Sequence, residues 1–160
     1  LDEVLQKFDN VPFADRTHHK KYLRLIRDFY RGNYREVILG FELLDNSNFV
    51  VANPSRRRAL SDIFYYWRAK SFLALGEYHN ALGETYRFRS ANTQITGSYV
   101  FDQYWPKKDY LKGLAYEGLG DERNARKSYK EFLRVWSEAD DDLPEIISAK
   151  KRLKDLGWAS

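Results

Sequence analysis

The feature that most constrains this chain is a repeat of 44 residues. Gly32, Gly76 and Gly120 each end a helical pattern, in "FYRGNYREV", "LALGEYHNAL" and "EGLGDERNAR", and they are 44 residues apart each time. Several columns agree at that period, which is typical of repeat proteins whose units bury their apolar faces against each other. When the three units are aligned on their glycines, three further sets of equivalent positions share the offset. They are a tyrosine position (Tyr22, Tyr66 and Tyr110), a small or β-branched position (Val37, Ala81 and Ala125) and a bulky position (Leu44, Phe88 and Phe132).

Each unit reads as two helices that are broken at the glycine. In the third unit, apolar residues recur at helical spacing on both sides of the break, from Leu111 to Leu119 and from Ala125 to Trp136. We predict that Gly120 takes the left-handed conformation that ends the first helix and that Asp121 caps the second. Gly113 is predicted to let the partner helix approach closely. The sequence gives no reason for Gly118.

These residues carry a resemblance to a known family. Gly113-x-x-Tyr116, Gly120-Asp121 and Ala125-x-x-x-Tyr129 resemble the tetratricopeptide repeat signature, W-x-x-L-G-x-x-Y followed by A-x-x-x-F. The second unit matches through Ala69, Phe72, Leu75-Gly76, Tyr78 and Ala81, and the first through Gly32-Asn33-Tyr34, Val37 and Phe41. The resemblance implies an all-α, right-handed helical-repeat solenoid, with units at about 13–47, 55–91 and 104–137 in a single domain.

The chain departs from the family pattern at several positions. The family's Leu in the first helix is replaced by Arg68 and Lys112, and its Trp by Asp109 in the third unit. Thr85 stands where an aromatic residue is usual, and the period is 44 rather than 34. The extra residues lie between units, in 45–58 and 90–106, where the short runs 49–52 and 99–101 favour strand. These connections are either variable surface loops or binding elements at one edge of the solenoid.

The last segment predicts a capping helix over 143–156. Asp142-Leu143-Pro144-Glu145 reads as a capping box, and an amphipathic pattern with a basic face follows it. Such a helix would cover the apolar side of the third unit. The ending resembles the final repeats of tetratricopeptide arrays attached to bacterial signalling proteins. With the helix-like segment 1–12 at the other end, we interpret the chain as a fragment of a longer protein.

Composition and motifs exclude several function classes. The chain has no Cys and no apolar run of the ~20 residues that span a bilayer, so neither thiolate chemistry nor membrane insertion is predicted. No targeting segment is in view, and the cytoplasm is slightly favoured. The three histidines His18, His19 and His79 lack metal-ligand spacing, and the acidic run 140–142 reads as a helix-capping turn. We predict no enzymatic activity, no metal and no cofactor.

The predicted function is binding of another protein or a peptide segment. In the family, the first helices line the concave groove, which implies an amphipathic, aromatic floor for a partner segment. Of the family's carboxylate clamp, only Lys70 and Lys107 could contribute. The alternative is that the tyrosines of this set pack between repeats. The groove positions fall on Tyr22, Ile26, Phe29, Tyr66, Lys70, Leu73, Tyr110 and Leu114, with Glu117 beside the last.

A second possible function follows from charge. The first unit is rich in Lys and Arg, countered by Asp28 alone, and the net charge of the chain is +4. A basic stripe interleaved with tyrosines could bind phosphates of a nucleic acid, or an acidic protein. The alternative is that these side chains form a solvent-exposed basic face that binds no partner. The patch comprises Lys20, Arg24, Arg27, Arg31, Arg56, Arg57 and Arg58.

Overall fold

The computed structural model describes residues 16–46, 54–88 and 107–157 except 139 and 141, with side chains from residue 20 in the first segment and from residue 61 in the second. These residues are all-helical and contain no strand, which confirms the predicted fold class at that level. The helices are α1 Arg16–Tyr30, α2 Tyr34–Asn46, α3 Pro54–Ala74, α4 Tyr78–Arg87, α5 Lys107–Gly118, α6 Glu122–Val135 and α7 Pro144–Asp155.

The glycines of the 44-residue repeat join the two helices of each pair. Gly32, Gly76 and Gly120 have φ angles of 84°, 72° and 74°, in the left-handed region that an L side chain rarely adopts. After Gly120, the Asp121 side chain accepts a hydrogen bond of 3.1 Å from the Asn124 backbone N–H. The predicted break at Gly120 and the predicted cap at Asp121 are therefore confirmed.

The helices pack in chain order, each against the next, and α3 also packs against α5. An edge contact between the rings of Phe29 and Trp67, 5.1 Å between centroids, joins α1 to α3. At the far end, Tyr110 of α5 donates a 2.9 Å hydrogen bond to Ser148 of α7. The first helices of the three pairs, followed by α7, therefore lie side by side in the order α1, α3, α5, α7.

Two glycines inside α5 make room for tyrosine rings. A Cβ on Gly113 would overlap the ring of Tyr129 in α6, which confirms the predicted close approach of the two helices. A Cβ on Gly118 would overlap the ring of Tyr78 at the start of α4. Gly118 thus has a role that the sequence did not reveal: it accepts a tyrosine from the preceding pair.

The core consists of two clusters of buried residues. The larger one runs from Leu25 and Phe41 through the middle of α3 to Leu111. In the smaller one, Ile146, Ala149 and Leu153 of α7 pack with the apolar face of α6 and are at most 2% exposed. The last helix therefore covers the apolar side of the third pair.

The start of α7 differs from the prediction. Its N-cap residue is Leu143, whose side chain makes no capping hydrogen bond, and Pro144 occupies the first turn. Glu145 turns instead toward α5, where Lys107 donates a 2.7 Å hydrogen bond to it. The predicted capping box is wrong, because an inter-helix ion pair takes the glutamate that would have completed it.

Three of the residues that depart from the tetratricopeptide signature, Arg68, Asp109 and Lys112, form ion pairs. Arg68 and Glu84, both buried, form an ion pair of 2.9 Å between α3 and α4. Lys112 lies 3.5 Å from Asp109 and also over the ring of Tyr86. Part of the extra length between the first two units belongs to α3, which begins at Pro54. The runs 49–52 and 99–101 lie outside the described residues.

Candidate functional site

A cavity of about 400 Å³ opens between α1, α3, α5 and the start of α7. Its wall is mainly aromatic and aliphatic, and it also carries one lysine and one glutamate. Three successive helix pairs and the last helix contribute to it, so it exists only when they are packed together. The lining residues are Phe29, Tyr66, Lys70, Leu73, Ala74, Tyr110, Leu111, Leu114, Pro144 and Glu145.

Six of the eight predicted groove positions line this cavity. They are Phe29, Tyr66, Lys70, Leu73, Tyr110 and Leu114. The other two, Tyr22 and Ile26, pack against the larger core cluster without reaching the cavity. Glu117 also lies elsewhere, where it accepts a 2.8 Å hydrogen bond from the Tyr129 hydroxyl. The arrangement places these six side chains together; that they bind a partner stays a prediction.

The tyrosine column does not form an open ladder. Tyr66 is only 6% exposed, with its ring edge-on to Trp67, because α3 is packed against α2, α4 and α5 together. Tyr110 is half-buried and its ring lies 5.3 Å from that of Phe132. Tyr66 and Tyr110 therefore pack in the core, and the edges of their rings also line the cavity. Packing between repeats and lining a groove, which the sequence left as alternatives, thus apply to the same two residues.

Lys70 is the unusual polar group of the cavity. Its Nζ lies 5.1 Å, 5.4 Å and 5.2 Å from the ring centroids of Phe29, Tyr66 and Trp67. Burial lowers the pKa of Lys70, the charge of Glu145 raises it, and the charge of Lys107 lowers it further. The pKa of Lys70 is therefore lowered overall, because its half-buried position makes the charged ammonium less stable than in water.

Lys107, the second lysine that could contribute to a carboxylate clamp, already has a partner. Lys107 donates a 2.7 Å hydrogen bond to Glu145, and both side chains are about one quarter exposed. Burial raises the pKa of Glu145, but the hydrogen bond and charge of Lys107, a backbone hydrogen bond and the charge of Lys70 together hold that pKa below its usual value. The Lys107–Glu145 pair therefore joins α5 to α7 at the edge of the cavity, where Glu145 is a lining residue.

The basic patch is only partly visible in the described side chains. Arg27 lies 3.4 Å from Asp28, and Lys20 and Arg31 also make contacts. Arg35 forms an ion pair with Glu77 of the next unit, so Asp28 does not counter the basic residues alone. Arg24 and Arg31 are exposed. Arg56, Arg57 and Arg58 lie in the first part of α3, and their side chains are outside the described residues.

The described side chains contain no cluster of three His, Cys, Asp or Glu residues that could hold a metal ion. His79 is exposed, and the side chains of His18 and His19 are not described. In the acidic run, the Asp140 carbonyl accepts a 3.2 Å hydrogen bond from the Leu143 backbone N–H, and residue 141 lies outside the described part. The run thus leads into α7 without a side-chain cap, which corrects the predicted capping turn.

The cavity offers an apolar surface with one ammonium group, which suits a large apolar group carrying a hydrogen-bond acceptor or a negative charge.

Among the described residues, no helix is both long enough and apolar enough to cross a membrane. Comparisons of the chain with protein-family models, with curated proteins and with solved structures gave no match.

Proposed function

We propose that this chain is a tetratricopeptide-like, right-handed solenoid that binds an apolar segment of a partner protein, as a module of a larger signalling or assembly protein. The observation that carries the proposal is the cavity of about 400 Å³ between successive helix pairs. The first helices of all three pairs contribute lining residues, as expected for the binding face of a stacked-repeat protein.

The size and lining of the cavity suit an anchoring side chain. Small-molecule and anchor pockets are typically a few hundred cubic ångströms, largely apolar, with few polar groups that fix orientation. At protein interfaces, a handful of aromatic or aliphatic anchors in such pockets supply most of the binding free energy. One or two large apolar side chains of the partner, presented by an extended or helical segment, would fill the space between Phe29, Leu73 and Leu114.

The proposal can be tested with peptides selected from a random library on the whole chain. Leu73→Gln changes a half-buried residue of the cavity wall, and Leu39→Gln changes a leucine on α2 that is 60% exposed and does not line it. Loss of an anchor contact should weaken binding by more than ~2 kcal/mol, about 30-fold. We expect that loss for Leu73→Gln and unchanged affinity for Leu39→Gln, with both variants folded by circular dichroism.

Equal affinities of the wild type and the Leu73→Gln variant for every selected peptide would contradict the proposal. Tyr66 is not used in this test, because substituting a residue that is 6% exposed would change the stability of the fold as well as the cavity.

The basic patch supports a second, weaker candidate function. Arg24 and Arg31 of this patch are exposed on or just after α1, and they could contact phosphate groups or an acidic protein surface. Binding through phosphates would fall steeply with salt, whereas binding through the apolar cavity would not. An affinity for single-stranded nucleic acid that falls with salt and is weakened by Arg24→Gln would support this function.

A further inference from the structure

Lys70 is the one polar side chain of the cavity wall without a polar partner among the described residues. The Tyr110 hydroxyl donates to Ser148, and Glu145 accepts from Lys107. Tyr66 also makes a polar or ring contact of its own. No hydrogen bond or ion pair links the Lys70 ammonium to any described residue, and its near neighbours are three aromatic rings.

This arrangement leaves positive charge without a matching anion. The charged side chains that line the cavity are Lys70 and Glu145, and the Glu145 carboxylate accepts a hydrogen bond from Lys107, which does not line it. With the Lys107–Glu145 ion pair counted as neutral, the Lys70 ammonium leaves a charge of +1 at the wall. Ring faces attract an ammonium group, but they replace only part of the hydration that it loses on burial. A single negative charge brought in by a ligand would compensate the rest.

We propose that the cavity binds a small monocarboxylate with an apolar body, such as a phenyl ring or a branched chain. The carboxylate would pair with the Lys70 ammonium, and the body would lie against Phe29, Leu73 and Leu114. The volume of about 400 Å³ is in the range of small-molecule sites. A dianion such as phosphate would leave one charge uncompensated in an apolar wall that has no arginine fork to receive it.

This ligand site is independent of the proposed partner. Such a carboxylate would occupy the space of a partner's anchoring side chain, so it would compete with a bound segment. The site can exist even if no partner segment binds there, and the selected-peptide experiment does not decide it.

The test compares a carboxylate with its neutral amide. The probes are 3-phenylpropionate and 3-phenylpropanamide, titrated at pH 7 into the isotopically labelled chain and followed by nuclear magnetic resonance. We expect the acid to bind at least tenfold more tightly than the amide, about 1.4 kcal/mol, with saturable shifts at Leu73, Ala74 and Leu114. Lys70→Gln should remove this preference, and Lys70→Arg should retain it because the charge is kept.

The matched control is Lys112→Gln. Lys112 is also a half-buried lysine, but it pairs with Asp109, lies over the ring of Tyr86 and does not line the cavity. Its loss should leave the preference for the acid unchanged. Equal affinities of acid and amide for the wild type, no saturable shift up to about 10 mM probe, or a preference that survives in Lys70→Gln would each overturn the proposal.

Discussion

The close packing around Gly113 gives a prediction with a built-in control. Gly113 of α5 and Gly83 of α4 both lie inside a helix, where Gly is ~0.5–1 kcal/mol less stable than Ala. A Cβ on Gly83 would meet nothing within 4 Å. A Cβ on Gly113 would overlap the ring of Tyr129, which is fully buried and hydrogen-bonded through its hydroxyl to Glu117. The two alanine substitutions should therefore change stability in opposite directions.

The magnitudes follow from two opposing effects. Gly83→Ala gains only the higher helix propensity of Ala and should raise the free energy of unfolding by ~0.5–1 kcal/mol. Gly113→Ala gains the same helix propensity, but the new methyl group must displace a buried ring, and overpacking of a core typically costs ~1–3 kcal/mol. The net loss is ~0–2.5 kcal/mol. Because Tyr129 is held by its hydrogen bond as well as by its packing, we expect a loss toward the upper end.

The assay is urea unfolding of the two variants and the wild type, followed by far-ultraviolet circular dichroism. With a slope of ~2 kcal/mol per molar urea, the midpoint should rise by ~0.3–0.5 M for Gly83→Ala and fall by up to ~1.2 M for Gly113→Ala. An increase of similar size in both variants would refute the reasoning, since it would mean that α5 and α6 do not approach closely at Gly113.

Three further predictions concern stability. Tyr66→Ala should cost ~3–5 kcal/mol because a buried ring is lost, and Tyr30→Ala, at a ring that is 71% exposed, should cost no more than ~1 kcal/mol; similar losses in urea melts would contradict the burial of Tyr66. Burial raises the pKa of the Glu84 carboxyl, although the charges of Arg68 and Arg87 act to lower it. The contribution of Glu84 to the stability of the fold is therefore largest below the ordinary carboxyl pKa and is lost as the pH rises through the raised pKa. The stability of wild type relative to Glu84→Gln should therefore fall as the pH rises above the ordinary carboxyl pKa of about 4, and a rise would show that Arg68 dominates. Deleting 143–160 uncovers the apolar face of α6 and should cause aggregation or lower the melting temperature by ~10 °C or more; unchanged melting of a monomer would disprove the covering role of α7.

The sequence predicted the elements of this fold well because the signals are local. Left-handed glycines and a 3.6-residue apolar period act within one helix pair, so the breaks at Gly32, Gly76 and Gly120 and the cap at Asp121 follow from neighbouring residues. The groove positions themselves were implied by the resemblance to tetratricopeptide repeats, and the 44-residue period relates these positions from one unit to the next. Six of them line the cavity.

The rest depends on contacts between units, which periodicity does not specify. Pro144 and Glu145 reach the cavity because α7 pairs with α5 at an offset of 38 residues, as Lys107–Glu145 and Tyr110–Ser148 show. Gly157, which ends α7 with a φ of 81°, lies 37 rather than 44 residues after Gly120, so the 44-residue repeat does not extend to α7. The role of Gly118 likewise requires knowing that Tyr78 of the preceding pair packs on it.

For a related reason, the sequence left open whether Tyr66 packs between repeats or lines an open groove. The structure buries Tyr66, because α3 has neighbours in α2, α4 and α5 around most of its circumference. The environment of Lys70, between rings from α1 and α3, could be known only once the crossing of these helices was known.

The measurement that tests the central claim most directly is the footprint of a selected peptide on the whole chain, mapped by nuclear magnetic resonance. We predict that chemical-shift changes concentrate on the cavity wall, at Phe29, Leu73 and Leu114, and leave Leu39 unaffected. A footprint centred on Arg24 and Arg31, or one spread over α2 without the cavity wall, would contradict binding in the cavity.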